Sequence, residues 1–257
     1  MEQNNTAKKL RRSRRGGFAI SAGVLGVMAL LVLSAPLGAA TATHPSILIA
    51  PYTGLPQAGA LMATSGCGGT LSVLSWPTFV LSTGIGTTSM SVAAKPCADL
   101  SGSDSAAILS FFGYNGSAFV QAATGSHTVT AKFSDSWNAT VKAKPGPTPQ
   151  TASASVAVLG FVDLFDLTNG TEPASGLVFM LSLFVTSSAA HSVKVGAIFK
   201  ATTSSAKLVK GHHYYLQVVV DVDLSSAVTS IGSSSAMATL NLGTAGNHVK
   251  LVSVTIA

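Results

Sequence analysis

The chain has 257 residues, of which 47% are hydrophobic and only 9% are charged, whereas about 25% are charged in ordinary soluble domains. Its formal net charge of +6 lies mostly in residues 1–42, which contain six Lys or Arg and one Glu. Because no Arg follows Arg15, and Arg is the residue that contacts guanine and phosphate bidentately, the sequence argues against nucleic-acid binding.

Residues 1–42 have the organisation of an export signal. A basic cluster at residues 8–15 precedes an apolar run at residues 18–33, and the small residues Ala40 and Ala42 mark the expected cleavage site. If the signal is not cleaved, residues 16–40 are long enough to act as a membrane anchor. We therefore predict an N-terminal signal or anchor helix and an extracellular or cell-surface protein, with general, twin-arginine and prepilin-type export left open.

The rest of the chain predicts an all-β fold. Short runs rich in Val, Ile, Thr and Phe are separated by Gly, Asn, Pro and Ser clusters, which is typical of an antiparallel β-sandwich. Residues 127–133, 192–199 and 236–242 alternate between apolar and polar positions. The longest alternating run, residues 212–224, places one set of side chains on a single face: Tyr214, Leu216, Val218, Val220, Val222 and Leu224.

Three other runs, at residues 108–112, 156–167 and 177–185, are apolar on both faces. A strand buried on both sides, a subunit contact or a short helix would each explain them, and periodicity does not choose among these.

A Pro-rich segment at residues 144–151 is the candidate domain boundary, because proline disrupts strand pairing. It would link a β-rich module at residues 43–143 to a β-sandwich module at residues 152–257. A single larger sandwich, with the Pro-rich segment crossing between its parts, is the alternative.

Cys67 and Cys97 are the two cysteines of the chain. Both follow the export signal, so we predict that they form a disulfide in an oxidising compartment. We also predict glycosylation at three Asn-X-Ser/Thr sequons, whose acceptors are Asn115, Asn138 and Asn169.

Metal and catalytic sites are weakly indicated. His212 and His213 are neighbours on a predicted strand and point to opposite faces, and the other four His are scattered. Asp221 and Asp223 fit either a solvated strand face or part of a Ca²⁺ site. The candidate glycosidase carboxylate pairs are Asp163 with Asp166, Asp99 with Asp104, and Asp221 with Asp223. We expect no cofactor, no metal and no enzymatic activity.

Two functions fit these features. The first is a secreted or cell-surface structural or adhesive protein, such as a surface-layer, filament or pilus-like subunit, whose partners are other copies of itself or other surface components. Its Ser, Thr, Ala and Gly-rich composition resembles that of archaeal and bacterial surface proteins. The alternative is a soluble secreted carbohydrate-binding module whose partners are glycans, with four candidate stacking rings: Trp76, Trp137, Tyr114 and Tyr214.

Overall fold

The structure is a computed structural model that describes residues 40–42, 47–49, 54–66, 69–96, 103–116, 118–147, 151–186, 189–202, 206–229, 234–243 and 246–257. The expected N-terminal helix and disulfide, with Cys67 and Cys97, lie outside these residues. Among the described residues there is no apolar helix of the length needed to span a membrane.

All regular elements in these ranges are strands, and together they belong to one compact unit, Gly38–Ala257. They are β1 (Ala40–Ala42), β2 (Ile47–Ile49), β3 (Gly54–Ser65), β4 (Thr70–Val80), β5 (Ile85–Ala94), β6 (Ser103–Gly116), β7 (Phe119–Gln121), β8 (Gly125–His127), β9 (Val129–Lys144), β10 (Thr151–Asp166), β11 (Thr171–Val185), β12 (Ala189–Thr202), β13 (Ala206–Leu208), β14 (His213–Thr229), β15 (Ser235–Asn241) and β16 (His248–Ile256). The all-β, antiparallel prediction is confirmed.

Sheet 1 is built around β14. This strand pairs antiparallel with β6 on one side and with β10 on the other, while β3 borders β6 and β11 borders β10. The short strand β7 pairs with the first residues of β14, and β1 lies parallel to β7.

Sheet 2 is built around β9. This strand pairs with β12 on one side and with both β15 and β16 on the other. Those two strands pair in turn with β5, which is bordered by β4, while β2 lies beside β16. A separate small ladder joins β8 to β13.

Both sheets take strands from both sides of the Pro-rich segment. In sheet 1, β6 precedes that segment and β14 follows it, and the same holds for β9 and β15 in sheet 2. Of the two arrangements that the sequence leaves open, the structure has the single large sandwich. Residues 144–151 connect β9 in one sheet to β10 in the other.

The core lies between the two sheets. Phe133 of sheet 2 meets Phe179 of sheet 1 edge to face at a ring-centroid distance of 5.4 Å, and Phe79 stacks on Tyr114 at 6.0 Å. Gly86 is needed for this packing, since a Cβ there would lie 2.0 Å from the Phe112 ring.

Strand alternation decides which side chains enter the core. The six residues predicted to share one face of residues 212–224 are all buried, and so are Ala236, Ala238, Leu240 and Leu242 of the run at 236–242. Both predictions are confirmed. Apolar burial of this kind stabilises a fold by about 25 cal/mol per Å².

One carboxyl group also lies on the inner face. Asp135 follows the inward parity of β9 and is only 4% exposed, and neither of its oxygens has a hydrogen-bond partner. Burial raises the Asp135 pKa to about 7. The neighbouring Trp137 indole N–H opposes this rise to a smaller extent, although it lies outside hydrogen-bonding geometry. The alternating run predicted at residues 127–133 ends two positions before Asp135, so no sequence pattern marks this residue.

Asp135 should therefore make the fold less stable as the pH rises. The folded state holds its proton up to about pH 7 and the unfolded state only to about pH 4, so stability falls across that window. We expect Asp135→Asn to unfold like the unsubstituted protein at pH 4 but to be more stable at pH 8 by roughly 2–4 kcal/mol. Urea unfolding at the two pH values tests this, and an equal difference at both would contradict it.

Candidate binding face on the outer side of sheet 1

The three runs that are apolar on both faces lie in the same sheet. Residues 108–112, 156–167 and 177–185 fall largely in β6, β10 and β11 of sheet 1. One side of each run packs in the core, and the other side lies on the outer surface of the sheet, which we call the carboxylate face. Its apolar side chains are Leu55, Leu61, Leu109, Phe111, Leu159, Phe161, Phe165, Leu177, Met180, Phe184, Tyr215 and Val219.

Three carboxyl groups lie among these apolar side chains. Asp221, on the central strand, has Phe111 as its register partner on one side and Leu159 on the other. Asp223 lies two residues further along β14, and Asp163 lies on β10 opposite Gln217. All three are half-buried although they are on the outer side of the sheet.

Burial in this apolar surface raises the pKa values of the carboxyl groups. The pKa of Asp221 rises to about 6 because of burial and, to a smaller extent, the negative charge of Asp163. The pKa of Asp163 also rises to about 6 through burial, although Ser175 Oγ donates a hydrogen bond to its Oδ1 at 2.6 Å. Burial raises the pKa of Asp223 as well.

A chain of amide side chains borders the carboxyl groups. Gln217 Nε2 donates to Asn115 Oδ1 at 3.0 Å and to Gln57 Oε1 at 3.3 Å. Gln217 and Asn115 are each only 5% exposed, so these contacts hold the amides of three neighbouring strands in fixed orientations.

The aromatic rings of the face are also fixed by packing. Phe165 stacks on Tyr215 at a centroid distance of 4.9 Å and an interplanar angle of 12°. The Phe111 ring lies over Gly59, where a Cβ would be 2.8 Å from two ring atoms. Glycine at position 59 therefore leaves room for the ring on the sheet surface.

The structure separates one of the three predicted carboxylate pairs, Asp163 and Asp166. Asp163 is on the outer face, whereas Asp166 is buried, accepts hydrogen bonds from the backbone N–H groups of Thr168 and Asn169, and lies 2.8 Å from His212 Nδ1. Asp166 thus fixes the β10–β11 turn, and the His212 interaction and these hydrogen bonds hold its pKa below the usual value despite burial. Asp104 is buried, and Asp99 is outside the described residues.

Asp221 and Asp223 remain together on one face, in agreement with the two-residue period of β14. Within the described ranges, no group of three or more His, Cys, Asp or Glu side chains is placed to hold a metal ion.

Of the four candidate stacking rings, three are in the core. Trp137, Tyr114 and Tyr214 are each 1% exposed, whereas Trp76 is 56% exposed, on edge strand β4 of sheet 2. The accessible rings on the carboxylate face are instead Phe111, Phe161, Phe165 and Phe184. Tyr215 belongs to the same face but is only 6% exposed, next to Phe165. The sequence signal that could have identified them is the second apolar face of β6, β10 and β11.

The sequons differ in accessibility. Asn138 is exposed on β9, and Asn169 is exposed in the β10–β11 turn, where Gly170 has a φ of 65°. Asn115 is buried and hydrogen-bonded to Gln217. Ala40 and Ala42, the predicted cleavage positions, are the two ends of β1.

No protein-family model matches the chain, and no curated protein sequence does. Similar solved structures include the enzymatically active domain of bacteriophage CBA120 tailspike protein 4, at 11% identity over 75% of this chain and 19% of that chain with a TM-score of 0.17. TmCBM61 in complex with beta-1,4-galactotriose is 8% identical over 75% of this chain and 86% of that chain, with a TM-score of 0.18. The CBM22-1 xylan-binding domain of Paenibacillus barcinonensis Xyn10C is 13% identical over 83% and 98%, with a TM-score of 0.17.

The coupling between Asp163 and Asp221 can be tested directly. Because the Asp163 charge contributes to the raised Asp221 pKa of about 6, Asp163→Asn should lower the Asp221 pKa. Carbon-13 NMR of the aspartate carboxyl groups measures it. A value near the usual 3.8 for Asp221 in the unsubstituted protein would contradict this account of the face.

Proposed function

We propose that the protein is a non-catalytic, secreted or cell-surface module that binds neutral glycans on the carboxylate face. The observation that carries the proposal is the combination, on the solvent side of one sheet, of fixed aromatic rings with three carboxyl groups and an ordered chain of amides. The export signal, the disulfide and glycosylation at Asn169, which is exposed in the β10–β11 turn, belong to the same proposal.

The two kinds of side chain on this face have complementary roles. A ring lying on the sheet offers a flat apolar surface to the C–H side of a sugar ring, and its burial on binding is favourable. The half-buried carboxylates accept hydrogen bonds from the hydroxyl groups at the edge of the sugar, and bonds to a charged acceptor are the stronger ones. The Gln217 and Asn115 amides are 5% exposed and bond to each other, so they hold neighbouring strands in position rather than contact the sugar. Sites for small molecules commonly combine an apolar lining with a few oriented polar groups.

The charge of the face favours uncharged sugars. No Lys or Arg is present among the described residues that point outward from sheet 1. An anionic polymer would meet Asp163, Asp221 and Asp223 without a compensating cation, and it would be repelled where the carboxyl groups are ionised. Neutral glycans are therefore the class of ligand that we propose.

Self-association is the second candidate function, and one feature favours it. Among the described residues, edge strand β11 pairs with β10 alone, and it exposes three large apolar side chains, Leu177 at 48%, Met180 at 60% and Phe184 at 64%. An unpaired apolar edge of this kind can pair with a second copy. In that case the protein would be the structural or adhesive subunit that its composition also suggests.

Binding of the full chain to a panel of neutral hexaoses, β-1,4-linked glucose, xylose and galactose, tests the proposal by calorimetry. We expect Phe161→Ala to raise the Kd for the sugar that binds by about tenfold or more, because the sugar ring loses the aromatic ring on which it packs.

Ile198→Ala is the matched control, because Ile198 is 67% exposed on the outer side of sheet 2. The control should leave the Kd unchanged. Equal losses in both variants, or polymerisation of a chain that binds no sugar, would contradict the proposed function.

A further inference from the structure

The outer side of sheet 2 has the opposite charge. Outward positions of its strands carry Lys132, Lys142 and Lys144 on β9, Lys194 and Lys200 on β12, and Lys250 on β16. No described carboxyl group points outward from this sheet, since Asp135, the acid of β9, is on the inner side. We call this surface the lysine face.

The lysines of this face are not neutralised within the described chain. The one ion pair found among the described residues joins His212 to Asp166, on the other sheet. Lys132 and Lys200 are direct register partners on neighbouring strands. Like charges placed opposite each other destabilise a sheet, and this cost would be relieved by an anion bound between them.

One end of the lysine face is hollow. An open depression of about 690 Å³ is comparable in size to sites for small ligands. Its lining includes Lys95, Lys142 and Lys144 together with Ala190, Ser235 and Met237. Three lysines thus line one concave surface, and its lining contains no acidic residue from the described part of the chain.

The surface between Lys132 and Lys142 is rich in hydroxyl groups and also carries Lys194 and the exposed side chain of Ile198. From Lys132 to Lys142, the outward positions of β9 are Ser134, Ser136, Asn138 and Thr140, a span of about 33 Å. Thr140 Oγ1 and Ser192 Oγ lie 2.9 Å apart, and a Cβ at Gly196 would meet nothing within 4 Å. These groups can hydrogen-bond the hydroxyls of an extended sugar chain. The lysine ammonium groups can pair with its anionic groups, without the bidentate geometry of an arginine guanidinium.

We propose that the lysine face binds an anionic polysaccharide, with a carboxylate or sulfate group of the polymer held in the depression by Lys95, Lys142 and Lys144. This site lies on the sheet opposite the carboxylate face and does not depend on glycan binding there. The protein would then link a neutral glycan on one side of the sandwich to an acidic one on the other.

The test compares two double variants of the full chain, each of which removes two positive charges. Lys142→Ser with Lys144→Ser alters the depression, and Lys207→Ser with Lys210→Ser is the control, because Lys207 and Lys210 are exposed outside sheet 2. Both variants keep the basic N-terminal cluster, so its contribution cancels. The probes are polygalacturonate for carboxylate, chondroitin sulfate for sulfate, and dextran as the neutral polymer.

We expect the depression variant to raise the Kd for at least one acidic polymer by about tenfold or more at low salt, with the control within about twofold of the unsubstituted protein. Added salt should weaken the binding, and dextran should not compete. Equal losses in the two variants, or no loss in either, would overturn the proposal. Loss of self-association by the depression variant, with polymer binding intact, would also overturn it and identify a second copy as the occupant.

Discussion

The two-residue period of the central strands determines both the fold and its surfaces. In β14, Val220 and Val222 pack between the sheets, and Asp221, between them in sequence, lies on the outside. A one-residue slip would bury the carboxyl groups and expose the valines, so the register of β14 against β6 and β10 is strongly specified. The residues that this register leaves outside the core determine the polarity and charge of each outer face.

The two outer faces are chemically unlike. The outside of sheet 1 collects aromatic rings and the carboxyl groups of Asp163, Asp221 and Asp223, whereas the outside of sheet 2 collects lysines among Ser, Thr and Asn. Residues 43–257 are nevertheless nearly neutral, with nine Lys against eight Asp or Glu. A low net charge thus coexists with two surfaces of opposite charge. Each surface can select a different class of ligand by electrostatic complementarity.

Local patterns in the sequence predict the strands well but not their neighbours. Alternation predicts the inward set of β14. Strand partners are set by contacts distant in the chain: β14 lies between β6 and β10 because residues such as Val220, Phe112 and Gly160 meet in register. For the same reason, lysines that are isolated in sequence become one face only after the strands assemble, and the inward position of Asp135 appears only when the alternation of β9 is followed to its end.

The carboxyl groups offer the most direct test of the central claim that the sandwich buries one side of sheet 1 and presents the other side to a glycan. Carbodiimide-mediated labelling of the full chain, read by mass spectrometry, reports the accessibility of each carboxyl group. We expect Asp221 and Asp223 to be labelled in the free protein and to be protected when the neutral hexaose binds. Asp135 should remain unlabelled in both states. Labelling of Asp135 as fast as that of Asp221, or glycan binding without protection of Asp221 and Asp223, would contradict it.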